Sequence, residues 1–198
     1  MGAVNSDFRW IPSAQHAYDK YLSKDYTRTD ACDEDVEHKG VDSDGEEVTV
    51  PRPNHGLLNA MQKVACVKDV AIAYAKHKKL IPFTDREIEE LQLVALFLVV
   101  GRENELGHSD EDPLQAAFYK SFREKSAEAF VKHVMEDLPS RFDDDEIEFY
   151  KNIILNPREK ENDYASILRI CHDLDLLRCI PADLYKKKIT RLKDELGD

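Results

Sequence analysis

One stretch, LQLVALFLVV from Leu91 to Val100, is apolar around nearly its whole circumference when wound as a helix. A helix without a polar face has to be covered on every side. It is far shorter than the ~20 apolar residues that a membrane span requires. The rest of the chain must therefore supply the cover. Both ends carry stop signals: Thr84 with Glu87 three residues on forms a capping box, and Gly101 stands in the C′ position. The sequence thus predicts helices packed around a central third helix. It also predicts that GRENELGHSDED leaves the core there, delivering Arg102, Glu103 and Glu105 beside a buried helix end.

The chain has 198 residues, 42% hydrophobic and 34% charged, enough for one domain with its own core. Its net charge of -12 argues against duplex nucleic acid as a partner, because phosphate backbones need a basic face. A few arginines converging in one cleft could still hold a single phosphate. Cys32, Cys66, Cys171 and Cys179 show no CxxC spacing, which reads as free thiols in a reducing compartment. The opening MGAVNSDFRW has no basic and apolar leader, and no transmembrane segment is expected, so the expected location is cytoplasmic. Gly2 and Ser6 also fit the loose myristoylation pattern.

In order, a first helix is expected from Ser13 to Leu22. Nine carboxylates then fall between Asp30 and Glu47, an acidic flap. Within it VEHKGVDSDGEEVTV reads as a β-hairpin turning at Asp44-Gly45. Its DSDG core fails the calcium-loop register, since Gly40 and Pro51 would occupy the first and last ligand positions. The second helix should run from Gly56 to about Lys78, with Leu57, Met61, Val64, Val67, Val70 and Ala71 on its apolar side. Asp112-Pro113 starts a fourth helix to about Met135, striped by Leu114, Phe118, Phe122, Ala129, Phe130 and Val134. A fifth spans Asp143 to Leu155, a sixth covers DYASILRICHDLDLLRC, and a half-exposed seventh runs from Ala182 to Leu196. The expected fold is mainly α: a single helical domain over 1–198, with its core in 48–180 and a small β-hairpin insertion near 35–50.

Three polar groupings interrupt this pattern. VPRPNHGLLNAMQK, residues 50–63, carries Arg52, Asn54 and His55, with Asn59 and Gln62 above His55 on the helix. His55 falls at a helix N-terminus, where the macrodipole disfavours imidazolium and keeps the ring neutral. A neutral imidazole on a stiff loop suits a nucleophile, a base or a metal ligand. Asn54 would cap the helix, and His55 itself could be no more than a cap. The second grouping is Arg102, Glu103 and Glu105, which could equally be solvated loop charges. The third is His172, flanked by Arg169 and Asp175 three residues either side, where a mid-helix histidine can be a plain hydrogen-bonded residue.

The strings RPNHG, ALFLVVGRENE and ICHDLDLLR together resemble the phosphodiesterase domain of the SidE family of bacterial effectors and its stand-alone DupA and DupB members. The resemblance covers roughly residues 48–180. It implies a helical domain with a cleft holding two histidines and a glutamate. By that likeness His55 is the nucleophile, Glu105 fixes its tautomer, and His172 is the acid and base. Arg52, Arg102 and Arg178 are then the phosphate ligands, with Asn54, Asn59, Glu103 and Arg169 as secondary positions. The implied substrate is ADP-ribosylated or phosphoribosylated ubiquitin, cleaved at a phosphate linkage without cofactor or metal; for a secreted effector the place is the host cytoplasm. Asn59 stands where the family places a further histidine, and LFLVV where it often has an HD pair. Two alternatives stay open. His172-Asp173, with His55 and Asp175, could form an HD-type metal phosphohydrolase site. The chain could also be an inactive helical module that binds ubiquitin or nucleotide, as the residue at Asn59 suggests.

Overall fold

The apolar stretch lies at the centre of the fold, and the elements around it fall in the expected order. The computed structural model describes residues 12–24, 39–41, 44–49, 52, 54–103, 113–159, 161–177 and 182–197. Its elements are α1 (Pro12–Tyr21), β1 (Lys39–Val41), β2 (Glu47–Thr49), α2 (Leu57–Lys78), α3 (Asp85–Phe97), α4 (Pro113–Asp137), α5 (Asp144–Leu155), α6 (Asp163–Leu176) and α7 (Ala182–Leu196). Helix α3 is central: α1, α2, α4, α5 and α6 all pack on it. Helices α2 and α6 form the closest pair on one side, α4 and α5 pair on the other, and α7 lies across α2 and α6. Leu91, Val94, Ala95, Leu96 and Phe97 are wholly buried. The domain is mainly α, and no described helix is long and apolar enough to cross a membrane.

Local chemistry explains the boundaries. The Thr84 capping box is closed, with Glu87 N–H donating to Thr84 Oγ1 at 3.2 Å and Thr84 N–H to Glu87 Oε2 at 2.7 Å. Asp143 and Glu146 form a second box at the start of α5. Helix α2 ends on Lys79 in the left-handed region (φ 58), and the N–H of Leu80 closes on the Ala75 carbonyl at 2.9 Å. The hairpin pairs Lys39 with Thr49 and Val41 with Glu47, and Gly45 (φ 85) supplies the turn. Most of the acidic flap, 30–38 and 42–43, lies outside the described residues.

Two expectations are corrected. Helix α3 stops at Phe97, and the apolar run continues to Val100 as a buried turn. Gly101 is therefore no left-handed cap: the positive-φ glycines among the described residues are Gly45 and Gly197. It is required by crowding, since a Cβ there would lie 2.3 Å from the Phe122 carbonyl oxygen and 2.6 Å from the Ser126 nitrogen of α4. The apolar face of α2 also shifts. Leu57 is 46% exposed and Leu58 58%, while Asn59, Ala60 and Lys63 turn inward. The first two turns of α2 thus bury polar groups, and those groups belong to the site.

Candidate functional site

Helix α2 begins at a tight turn in which the His55 N–H donates to the Arg52 carbonyl at 3.2 Å. Arg52 is buried with φ 48, a strained conformation for a residue with a Cβ. Its guanidinium donates to the carbonyls of Lys24 (3.2 Å), Val100 (3.3 Å) and Arg102 (3.1 Å). These bonds tie the loop carrying His55 to the end of the central helix. Asn54 is exposed, and the N-cap position of α2 is Gly56 instead of Asn54. His55 is half-buried.

His172 lies on α6, whose start is set by Asn162 Oδ1 accepting from Ala165 N–H at 3.0 Å. Its ring is half-buried. Burial pushes its pKa well below the usual imidazole value, and the nearby charges of Lys63, Arg123, His55 and Lys188 push the same way. His55 and His172, from different elements, therefore stand within electrostatic reach of each other. Between α2 and α6 runs a buried polar seam. Asn59 donates through Nδ2 to Asp175 Oδ2, and Lys63, one turn after Asn59, is wholly buried.

The exit of the central helix supplies cations. Arg102 is half-buried with its guanidinium 5.5 Å from the centre of the Phe122 ring. Arg123 of α4 is buried, lies 4.8 Å from the same ring, and donates to the Leu98 carbonyl at 3.0 Å. Glu103 pairs with Lys125. Arg169, expected beside His172, instead reaches Glu195 of α7 at 3.1 Å. Asp173, the acidic half of the HD pair, is bound by Lys188 at 2.7 Å and by Arg191. Both its oxygens are taken, so the donor set of the HD-type alternative is not open at Asp173. Glu105 and Arg178 lie outside the described residues.

Lys63 and Arg123 were absent from the sequence reading. Each sits in a helix whose neighbours alternate between apolar and charged, so periodicity alone reads it as solvent-facing. The one signal was spacing: Asn59 and Lys63 are one turn apart, in line with His55.

Fold and site together define a mainly helical domain in which two histidines from different elements lie within electrostatic reach of each other and of several cations, groups suited to an anionic phosphate. Comparison with known proteins narrows this class. The family model for the SidE phosphodiesterase (PDE) domain matches residues 18–196, and the chain belongs to that family. It is 26% identical to the ubiquitinating enzyme SidE of Legionella pneumophila and 28% identical to the ubiquitinating/deubiquitinating enzyme SdeA of the same bacterium, each over 84% of this chain. The chain spans only 11% of the length of either relative. In fold it is similar to the crystal structure of lpg1496 under 350 MPa, with a TM-score of 0.70 at 23% identity over 93% of this chain and 76% of that one.

Proposed function

We propose that this domain cleaves the diphosphate of ADP-ribosylated ubiquitin through a histidine adduct, and that it also acts on phosphoribosylated ubiquitin. The observation that carries the reading is the approach of His55 and His172 from separate elements, in a chain of the phosphodiesterase-domain family. His55 attacks the ribose-side phosphorus, the bond to the AMP oxygen breaks, and that oxygen leaves with a proton from His172. A serine hydroxyl or water then gives its proton to His172 and displaces His55. Glu105 accepts the other ring N–H of His55 and so fixes its tautomer. Arg102 and Arg178 neutralise the phosphate. Arg52 acts through its carbonyl bonds, holding Arg102 and the His55 turn in register. For a secreted effector the place of action is the host cytoplasm.

One point differs from the simplest mechanism. His172 is held neutral in the free protein, whereas leaving-group departure needs it protonated. The incoming phosphate brings negative charge beside the ring and restores its proton affinity, so substrate and proton arrive together. Incubation with ADP-ribosylated ubiquitin tests the reading. Release of AMP is expected, insensitive to chelator; no AMP from the wild-type protein overturns it. His55→Ala should abolish AMP release and adduct, while His172→Asn stops turnover after at most a single AMP per chain and lets an acid-labile histidine adduct build up. Each loss should be at least ~10²-fold.

A further inference from the structure

Lys63 is wholly buried, and among the described residues its Nζ has no hydrogen-bond partner. An ammonium in that position costs stability, because its hydration is lost and no described residue hydrogen-bonds to it in return. A methionine of similar length would fill the same space without that cost. The surroundings show what could offset it. Asp175 and Cys171 of α6, Arg123 of α4 and Arg102 at the exit of α3 all act on the Lys63 amine. Burial pushes the Cys171 thiol upward, so it stays neutral. Asp175 favours the charged amine while Arg123 and Arg102 oppose it, and the Asp175 carboxylate also accepts from Asn59. Asn59 Oδ1, one turn before Lys63, is also buried without a partner. Among the described residues, a buried donor and a buried acceptor one helical turn apart are thus left without partners.

We propose that Lys63 is the innermost cation of the phosphate site, donating to a phosphate oxygen that Arg102, the half-exposed member of the cluster, meets first. The proposal rests on the phosphodiesterase reading only for the identity of the anion. Burial pulls the amine down to about 7, with Arg123 and Arg102 lowering it further against the opposing pull of Asp175. Near neutrality Lys63 is therefore poised to take up a proton when an anion arrives.

The test uses Lys63→Met and Lys63→Gln in the whole chain, with pyrophosphate as the probe. Calorimetry in two buffers of different ionisation enthalpy reads affinity and proton uptake, and thermal melting reads stability. Lys63→Met should melt higher than wild type, bind pyrophosphate at least about tenfold more weakly, and take up fewer protons on binding. A purely structural lysine would give the opposite pair, a lower melting temperature with affinity within about twofold of wild type. That result overturns the proposal. Should neither variant fold, wild-type protein binding pyrophosphate at about pH 8 without proton uptake overturns it equally. The two readings fail separately. AMP release at equal rates from wild type and Lys63→Met removes the role of Lys63 and leaves the enzyme. Loss of pyrophosphate binding in Lys63→Met, with no AMP from wild type, removes the enzyme and leaves the anion site.

Discussion

Arg52 shows how much one side chain contributes to placing the site. Its backbone is strained at φ 48 while its guanidinium satisfies three carbonyls near the end of the central helix. Arg52→Ala leaves those carbonyls short of donors, and a loss of ~1–3 kcal/mol in urea unfolding is expected. Turnover should fall more than the stability loss accounts for, because the His55 turn and Arg102 lose their common tether. His172 gives a second expectation at this scale. In the proposed mechanism it is neutral when free and protonated when the leaving group departs, so kcat/KM should decline as pH rises through neutrality while kcat declines less. Parallel profiles would show that no proton is taken up with substrate. The histidines themselves were legible in the sequence, since a histidine at a helix start and another between charged residues stand out. Lys63 was not, because a lysine inside an amphipathic helix looks the same whether it faces water or a partner.

The turn after α3 meets α4 where Gly101 leaves no room for a side chain. Gly101→Ala would drive a methyl into the Phe122 carbonyl and the Ser126 nitrogen, both backbone atoms that cannot rotate away. The α3–α4 contact should open and the melting temperature should fall, with Arg102 and Arg123 displaced along with it. Leu96 tests the same core from inside. It is fully buried on α3, and Leu96→Ala should cost roughly 2–5 kcal/mol in denaturant unfolding. The start of α3, the box at Asp143 and the turn at Gly45 were all readable, because each is set by residues within a few positions of one another. The end of α3 and the reason for Gly101 were not, because the neighbour that decides them is on α4.

Stability of the whole molecule should depend on pH through buried bases. His133 lies fully buried, its Nδ1 2.9 Å from Asp137, and burial lowers its pKa. His172 is lowered in the same direction. The unfolded chain then binds protons more readily than the folded one, so stability should drop as pH falls below about 6.5. Lys63 works in a higher window. Its amine is near 7 when folded and 10.5 in the reference state, so stability should rise between pH 7 and about 8.5, at up to ~1.4 kcal/mol per pH unit. From about pH 9 the buried Cys171 thiol, which ionises more easily once unfolded, opposes the Lys63 contribution, so the rise levels off. Urea unfolding across this range checks the shape, and Lys63→Met should flatten the rise between pH 7 and 8.5.

The sequence alone determined a mainly helical fold, the order and approximate ends of its helices, and its hairpin, and it singled out two histidines as candidates. Those features follow from apolar period, caps and turn residues, which act between neighbours in the chain. Only the tertiary structure decided that Lys63, Asn59 and Asp175 share a buried seam, that Arg52 is a tether, and that Arg169 turns to α7 instead of His172. The cost of burying a charge or leaving a donor unfilled depends on which helix lies opposite. Local periodicity carries no record of that.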